Sequence, residues 1–320
     1  MKNKKKIFII LPVKDEYESI DKCIESLNLL RKKLTRYAIK IIVINDGSVD
    51  GSEKKIPNSK DILLINYPNN RGLGYAIRSG IIIAKKFNAD FVVKVDADLQ
   101  HEYFDIIKLL DYIQLNKLDL VYGRRVLVDY KMPIIRKLGN LFFTYLMKKL
   151  TGWNIQDSQP GMFITNKKCL NCVKIYGNYN YTQQILLSAR INHMTFGSVD
   201  IKFKKRKKGT SFISFKYIYK ALSQILILLL AYKPLRVFGT LASFMLLTAF
   251  TIIVVQSIDW VLGNSSKVVQ NVNLVLGLIT VGGYSLIAGL LGELFKNINN
   301  NNDDSQEYEI NELIKNNEKK

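Results

Sequence analysis

The segment Phe91–Gln100, FVVKVDADLQ, constrains the fold of this 320-residue chain more than any other. Its first half, Phe91–Val95, is a run of apolar and β-branched residues that predicts a buried strand of a parallel sheet. The strand ends in Asp96 and Asp98, and two carboxylates at that place are costly unless a cation lies against them. In an open α/β sheet, ligands bind at the carboxyl ends of the strands. A divalent ion such as Mg²⁺ or Mn²⁺ fits such a carboxylate pair, because phosphate oxygens and water can complete its coordination.

Strands and helices alternate along the first half of the chain. Apolar runs predict five strands, and apolar residues at helical spacing predict helices between most of them. The predicted strands are Ile7–Val13, Ile39–Ile44, Ile62–Ile65, Phe91–Val95 and Leu120–Tyr122, and the predicted helices are 20–34, 70–87, Tyr103–Leu115 and Ile134–Leu150. This alternation is typical of an α/β fold, and we predict a doubly wound, mostly parallel sheet.

Three acidic clusters each follow a predicted strand. Asp15 and Glu16 follow the first strand, Asp46 follows the second, and Asp96 with Asp98 follows the fourth. Because parallel strands present their carboxyl ends at one edge of a sheet, these clusters should converge on a single rim. The sequence therefore predicts a binding site at this edge.

The excess of basic residues is confined to the first part of the chain. Residues 1–232 contain 40 Lys and Arg against 19 Asp and Glu, whereas the remainder contains 7 against 8. A nucleic acid, an anionic membrane surface or a phosphorylated substrate would suit such a basic region. A nucleic acid explains neither the acidic rim nor the apolar segments near the C-terminus, so we predict no nucleic-acid partner.

Several motifs resemble, in order and in spacing, those of the family 2 glycosyltransferases. They are Pro12-Val13-Lys14-Asp15-Glu16, Asn45–Ser52 (NDGSVDGS), Asn70–Gly74 (NRGLG), Asp96–His101 (DADLQH) and Gly123-Arg124-Arg125. Over about residues 6–215, the chain most resembles the branch of dolichol-phosphate mannose synthase and the polyprenyl-phosphate glycosyltransferases. The resemblance implies a GT-A fold, a nucleotide diphosphate sugar as donor, and Mg²⁺ or Mn²⁺ as cofactor.

The same resemblance implies roles for individual residues. The residues that bind the nucleotide sugar would be Pro12, Glu16, Asp46, Asp96, Ala97 and Gln100. The metal ion would bind Asp96, Asp98 and Gln100. Asp98 would also be catalytic, as would Arg125, which would lie beside the phosphates.

Asp157 begins a segment, Asp157–Met162 (DSQPGM), that resembles the family motif D-S-Q-x-G-F. In one interpretation Asp157 is a catalytic general base that deprotonates a sugar hydroxyl. In the other it is structural, and it caps a loop or orients a basic side chain. The sequence leaves both interpretations open.

A basic segment, Lys202–Lys208, precedes Gly209-Thr210-Ser211. Together they resemble the R-x-x-G-x-S segment of the family, which grips phosphate. With a basic residue from the helix Ile134–Leu150, the set predicted to bind the acceptor phosphate is Arg136, Arg206, Lys207 and Ser211.

Two uncharged stretches, Val237–Ile258 and Asn273–Leu291, are each long enough to span a bilayer at about 1.5 Å per residue. The apolar segment before them, Tyr217–Tyr232, is expected to lie at the membrane interface. Lys233 and Arg236 precede the first span, so the positive-inside rule places the catalytic domain and both termini in the cytoplasm. In a prokaryote this would be the plasma membrane.

We therefore predict four regions. Residues 1–212 form the GT-A catalytic domain, 213–236 a juxtamembrane amphipathic segment, and 237–295 two transmembrane helices. Residues 296–320 form a polar tail that is disordered apart from a short helix at Glu307–Ile314.

The predicted function is that of an inverting glycosyltransferase. It would move a hexose, of the mannose or glucose type, from a nucleotide diphosphate sugar to a polyprenyl phosphate such as dolichyl or undecaprenyl phosphate. An anionic phosphate oxygen is already a nucleophile, so this reaction needs no general base. The alternative is a membrane glycosyltransferase that acts on a hydroxyl of a cell-surface glycan, with Asp157 as the base. A non-enzymatic membrane scaffold is disfavoured by the intact carboxylates, and the sequence is compatible with a homo-oligomer.

Overall fold

The computed structural model describes residues 4–127, 134–175, 180–204, 233–298 and 304–318, with the positions 223, 226 and 230. The described residues form two compact units. One unit contains the residues up to Gln224 and those from Ser305 onward, and the other contains those from Ile225 to Asp304. The end of the chain therefore belongs to the same unit as its beginning.

A seven-stranded sheet forms the centre of the first unit, in the order β3-β2-β1-β4-β6-β5-β7. Its strands are β1 (Lys5–Val13), β2 (Tyr37–Asp46), β3 (Ile62–Tyr67), β4 (Phe91–Lys94), β5 (Leu120–Leu127), β6 (Phe163–Asn166) and β7 (Phe196–Phe203). Neighbouring strands are parallel except at β6, which runs antiparallel to both β4 and β5. The predicted mostly parallel α/β sheet is confirmed.

Helices cover both faces of this sheet. They are α1 (Ile20–Lys33), α2 (Leu73–Lys86), α3 (Asp105–Leu115), α4 (Ile134–Thr151), α5 (Lys167–Cys172) and α6 (Tyr181–Ile191). Residues Ile9 and Leu11 of β1 belong to the core cluster that includes α1 and α3. On the opposite face, Ile10 lies against Gly80 of α2, where an added Cβ would come within 2.6 Å of the isoleucine side chain. Strand β1 is apolar throughout its second half because both of its faces are buried.

Strand β6 was not among the predicted strands. It has only four residues, FITN, too few for a period-two pattern to be distinctive. Its register pairs Phe163 with Lys94 of β4. The preceding segment, which ends in Gly161 and Met162, is thereby brought to the carboxyl end of β4, beside Asp96.

The second unit consists mainly of two long apolar helices, α7 (Pro234–Val261) and α8 (Val272–Ile298). Each is long and apolar enough to cross a membrane. They pack antiparallel to each other, and glycines of α8 permit the close approach. A Cβ at Gly292 would lie 2.6 Å from Pro234, and one at Gly289 would lie 3.3 Å from the Cα of Leu235. Small residues at such contacts are typical of paired membrane helices.

The last element that the structure describes is a helix, α9 (Asp304–Glu318), which is about twice as long as the predicted segment Glu307–Ile314. It lies along α2 within the first unit. The Gln306 amide donates to Ser79 Oγ at 3.0 Å, and Lys86 Nζ donates to Asn311 Oδ1 at 2.7 Å. Ile310 and Ile314, one helical turn apart, are buried.

Candidate active site

The loops that follow β1 and β2 are joined by hydrogen bonds. The Asp15 N–H donates to Ser48 Oγ at 3.0 Å, and the Val49 N–H donates to Asp15 Oδ1 at 2.9 Å. The Glu16 N–H donates to Ser52 Oγ at 3.0 Å. The motif around Asp15 and the motif Asn45–Ser52 therefore form one structural element at the rim of the sheet.

Asp46, at the end of β2, is buried, and both of its carboxylate oxygens accept hydrogen bonds. The Arg71 N–H donates to Oδ1 at 2.7 Å, and the Gly72 N–H donates to Oδ2 at 2.9 Å. Gly72 has a φ of 95°, a conformation that favours glycine. Asp46 thus fixes the glycine-rich loop that begins α2.

A cavity of about 470 Å³ opens at this rim. Five residues predicted to bind the nucleotide sugar line it, together with the predicted metal ligand Asp98: Pro12, Glu16, Asp46, Asp96 and Ala97. Gln100, the sixth residue predicted for the nucleotide sugar, lines a different cavity. The convergence expected from the ends of three strands is therefore present in the fold.

Asp96 is paired with a residue that the sequence analysis did not assign to the site. Lys94 on β4 is buried, and its ammonium donates to Asp96 Oδ1 at 2.5 Å and to the Gly161 carbonyl at 2.8 Å. Burial is the largest single effect and would by itself lower the pKa of Lys94, but the Asp96 carboxylate and Tyr181 together raise the pKa above its ordinary value. The sequence contained a signal for this pair: a lysine inside a buried strand, two residues before an aspartate. Residues i and i+2 lie on the same face of a strand, so their side chains can pair.

Two further residues donate hydrogen bonds to the backbone carbonyls of Asp96 and Ala97. The Tyr103 hydroxyl donates to the Asp96 carbonyl at 2.9 Å, and the Cys23 thiol donates to the Ala97 carbonyl at 3.0 Å. Tyr103 also contacts Cys23 at 2.7 Å. Burial raises the pKa of Cys23 to about 12, so this thiol serves as a hydrogen-bonding group and not as a nucleophile.

Asp98 and Gln100 lie in a tight turn after β4. The Gln100 N–H donates to Asp98 Oδ1 at 3.1 Å, and Leu99 between them has a φ of 59°. The Gln100 side chain donates to the Lys204 carbonyl at 3.0 Å and so ties this turn to the end of β7.

The donor set at this turn fits a hard divalent ion. Asp96 and Asp98 both line the smaller cavity, and carboxylate oxygens are the protein ligands that Mg²⁺ and Mn²⁺ prefer. Among the described residues, no group of three His, Cys, Asp or Glu side chains has the arrangement of a metal site. An ion held by these two carboxylates would therefore need oxygens from a diphosphate or from water.

Gly161, from the Asp157–Met162 segment, closes the site over Asp96. A Cβ at this position would lie 2.2 Å from His101 Nε2 and 2.7 Å from Asp96 Oδ2. His101 is buried, and neither ring nitrogen has a hydrogen-bond partner in the part of the chain that the structure describes. Burial lowers the pKa of His101 to about 4 despite the opposing effect of Asp96, so the imidazole is neutral at physiological pH.

Arg125 and Asp157, two residues predicted to be catalytic, are paired with each other. Arg125 Nε donates to Asp157 Oδ2 at 2.6 Å, and Arg125 Nη2 donates to Oδ1 at 2.9 Å. Asp157 is 7 % exposed, and its Oδ1 also accepts from the Gln159 N–H at 3.0 Å. This two-bond geometry is the arrangement of an aspartate that orients an arginine.

A second cavity, of about 700 Å³, is also lined by Asp96. Its cationic lining residues are Arg71, Lys94 and Arg125, and the first turn of α6, from Asn180 to Gln183, forms another part of the wall. Cationic groups and a helix N-terminus both favour an anionic ligand. The two cavities share Asp96. The acidic centre, which we define as Asp96 and Asp98, therefore lies where the two cavities meet.

Four predicted acceptor residues are not placed by the structure. Arg206, Lys207 and Ser211 lie outside the described residues. Arg136 is on α4, but its side chain also falls outside the described part.

Comparison with known proteins gives similar enzymes. The chain is 27% identical over 245 residues to the UDP-N-acetylglucosamine–dolichyl-phosphate N-acetylglucosaminyltransferase of Methanococcus voltae, covering 68% of this chain and 95% of the relative. It is 23% identical to the undecaprenyl-phosphate 4-deoxy-4-formamido-L-arabinose transferase of Photorhabdus laumondii, covering 92% of this chain and 90% of the relative.

Solved structures support the same fold. Glucosyl-3-phosphoglycerate synthase from Mycobacterium tuberculosis, in complex with Mn²⁺, uridine diphosphate and phosphoglyceric acid, superposes with a TM-score of 0.53 at 17% identity. The match covers 71% of this chain and 78% of that one. The same enzyme has been solved with Mg²⁺ and uridine diphosphate.

The model of the family described as glycosyl transferase family 2 matches residues 8–174, which is more than half of the chain. This range contains the acidic rim, the Asp96–Asp98 turn and the Arg125–Asp157 pair. The family predicted from the motifs is confirmed, and the chain belongs to glycosyl transferase family 2, a family of glycosyltransferases.

Proposed function

We propose that this glycosyltransferase moves a hexose from a nucleotide diphosphate sugar to a polyprenyl phosphate, with inversion at the sugar carbon. The named relatives act on dolichyl or undecaprenyl phosphate, which supports a lipid phosphate as the acceptor class. The two apolar helices support a membrane-associated enzyme that meets such a lipid in the bilayer. The donor would bind in the smaller cavity, and the sugar would reach the larger one.

The Arg125–Asp157 pair is the observation that favours a phosphate acceptor over a hydroxyl. A general base needs a carboxylate that can take a proton from the acceptor. Both oxygens of Asp157 already accept hydrogen bonds from Arg125, and the side chain is buried. A phosphate oxygen needs no proton removed before it attacks, so the transfer to a lipid phosphate does not require Asp157 as a base.

Charge stabilisation is the main catalytic requirement of this reaction. When bound, Mg²⁺ or Mn²⁺ on Asp96 and Asp98 would supply positive charge to the leaving diphosphate. Arg125 lines the larger cavity and is hydrogen-bonded to Asp157, which supports a role for its guanidinium in binding phosphate oxygens. Arg136, Arg206, Lys207 and Ser211 remain the proposed residues for the acceptor phosphate.

The position of α9 supports the proposed topology. This helix follows both apolar helices in sequence, yet it packs against α2 of the catalytic unit. A chain that leaves and returns to the same side must cross the membrane an even number of times. Together with the positive-inside rule, this supports two spans with the catalytic unit and both termini in the cytoplasm.

The test is transfer in a defined system. Purified full-length protein in detergent would be mixed with Mn²⁺, a short polyprenyl phosphate and, in turn, several radiolabelled nucleotide sugars. We expect label from at least one donor to enter the organic phase, and EDTA to abolish that transfer. Label that enters only a glycan acceptor, under conditions where a lipid phosphate receives none, would contradict the proposed acceptor.

A further inference from the structure

Lys94 is a buried charge that the proposed reaction does not yet use. Its side chain is 1 % exposed, and its ammonium lies 2.5 Å from Asp96 Oδ1 and 2.8 Å from the Gly161 carbonyl. It also lies 5.5 Å from the centre of the Tyr181 ring on α6. Lys94 therefore joins strand β4, the Asp157–Met162 segment and helix α6 around one carboxylate.

The ion pair between Lys94 and Asp96 is held together because separating its charges is unfavourable in free energy. The Lys94 side chain is 1 % exposed and the Asp96 side chain 28 % exposed, so Lys94 is the partner that depends on the pair. An unpaired ammonium in a buried site loses hydration without compensation, so moving the Asp96 carboxylate away from Lys94 is strongly unfavourable. Lys94 has no exposed position to move to, because it is enclosed on β4. One oxygen of Asp96 consequently has a cationic partner before any metal ion arrives.

We propose that Lys94 is the resident cation of the acidic centre and that it sets the affinity of this centre for a divalent ion. The ion would use the other oxygen of Asp96 and the carboxylate of Asp98. Because the ammonium offsets one of the two carboxylate charges, the ion alone would bind weakly. It would bind tightly only when the diphosphate of the donor adds its own negative charge, so metal and nucleotide would enter together.

The test is a titration of the full-length protein with Mn²⁺, followed by electron paramagnetic resonance of the free ion. It compares the natural protein with Lys94→Met, which keeps the length without the charge, and with Lys94→Gln, which keeps a hydrogen-bond donor. A unit charge at about 5 Å in a partly buried site changes ion binding by tenfold or more. We expect both variants to bind Mn²⁺ about ten- to a hundredfold more tightly than the natural protein in the absence of nucleotide. Uridine diphosphate should then increase their Mn²⁺ affinity less than it does for the natural protein.

Two further variants control for charge and for the site. Lys108→Met removes an ion-paired lysine on α3 that lines neither cavity, and it should leave Mn²⁺ affinity unchanged. Asp98→Ala should lose Mn²⁺ binding. Thermal melting shows which variants fold, and Lys94→Gln, the milder change, decides the question if Lys94→Met does not fold.

The inference rests on the proposed metal-assisted transfer, but the two fail in different ways. Unchanged or weaker Mn²⁺ binding by Lys94→Gln, with binding lost in Asp98→Ala, would overturn the role of Lys94 alone. If the natural protein bound no Mn²⁺ even with uridine diphosphate, the metal-assisted transfer itself would be overturned.

Discussion

At the scale of single residues, Gly161 leaves no room for a side chain beside Asp96. The methyl group of Gly161→Ala would meet the buried His101 ring and the Asp96 carboxylate, which Lys94 holds in place. Overpacking of this kind costs about 1–3 kcal/mol, and a displacement of about 1 Å at a reacting centre can cost about a hundredfold in rate. We expect a lower melting temperature and a loss of transfer activity by about that factor.

Gly139→Ala is the matched control for this prediction. Gly139 lies within α4, and a Cβ there has nothing within 4 Å. Alanine in a helix interior is more stable than glycine by about 0.5–1 kcal/mol. The control should therefore keep full activity, and equal losses in the two variants would show that crowding at Asp96 is not the cause.

Substitution of Asp157 distinguishes a residue that orients Arg125 from a general base. If Asp157 orients Arg125, Asp157→Asn should keep appreciable turnover, with a flat rate profile between about pH 6 and 8, because no base titrates. Arg206→Ala should raise the KM for the lipid about ten- to a hundredfold, since an arginine–phosphate contact contributes roughly 1.5–3 kcal/mol. Steady-state kinetics with a short polyprenyl phosphate measures both.

A larger loss of activity in Asp157→Asn than in Arg206→Ala would contradict a phosphate as the acceptor. Loss of a general base costs about a hundred- to ten-thousandfold, so a glycan transferase would be disabled by Asp157→Asn and little affected by Arg206→Ala. The donor site and the fold would be unaffected by that outcome. Donor hydrolysis, measured in the absence of acceptor, is the control that both variants retain this site.

The sequence predicted the carboxylates of the site better than their partners. Asp46, Asp96 and Asp98 follow predicted strands, and the rules of parallel sheets bring such residues to one edge. The pairing of Asp157 with Arg125 joins residues on different elements, 32 positions apart, and no local pattern encodes it. The spacing of Lys94 from Asp96 indicates that the two side chains share a face of the strand. Tyr103 and Cys23, in contrast, cannot be distinguished by sequence from ordinary core residues.

At the scale of elements, the packing of helix α9 against α2 can be tested by substitutions on its buried and exposed sides. Ile310 is fully buried, whereas Tyr308, two residues earlier, is 68 % exposed. A buried carboxylate without a partner is unfavourable by several kcal/mol, so Ile310→Asp should release α9 from α2. Limited proteolysis should then remove the C-terminus at a much lower protease concentration than in the natural protein.

Tyr308→Asp places the same charge on the exposed side of α9 and should leave the protection unchanged. Release of α9 also removes Glu309 from Arg71, to which it is bound at 2.6 Å. That contact raises the pKa of Arg71 and lowers the pKa of Glu309, so the pair is charged at physiological pH. Equal protection of the tail in Ile310→Asp and in the natural protein would contradict the docking of α9 on α2.

Elements with a strong local pattern were predicted, and those without one were not. The strands β1, β2 and β4 are rich in apolar and β-branched residues, and α1 and α3 have apolar residues at helical spacing. Strand β6 is too short for its pattern to be distinctive. Helix α9 is polar, and within residues 306–314, where the structure describes burial, two side chains are buried. Its sequence therefore predicted a short helix and did not indicate that the helix packs against α2.

At the scale of the whole molecule, the two apolar helices and α9 lead to the same topology. The loop between α7 and α8 contains Lys267 and follows Asp259 of α7, so it has little net charge, whereas Lys233 and Arg236 precede α7. The positive-inside rule therefore supports the proposed topology, with the loop outside and the catalytic unit inside. If both helices span the membrane as proposed, the packing of α9 against the catalytic unit is the result expected of two crossings.

This topology is tested by cysteines introduced into the full-length protein in intact cells. A cysteine at Ser265, in the loop, should react with a membrane-impermeant thiol reagent added from outside. A cysteine at Asn301, after α8, should react only once the cells are permeabilised. The natural cysteines, Cys23, Cys169 and Cys172, all belong to the catalytic unit, so they should not react with the impermeant reagent in intact cells. Burial also raises the pKa of Cys169 to about 12, which makes this thiol less reactive. Labelling at Asn301 but not at Ser265 in intact cells would show that the chain has the opposite orientation, and labelling of both would contradict a return of the chain to the side from which it left.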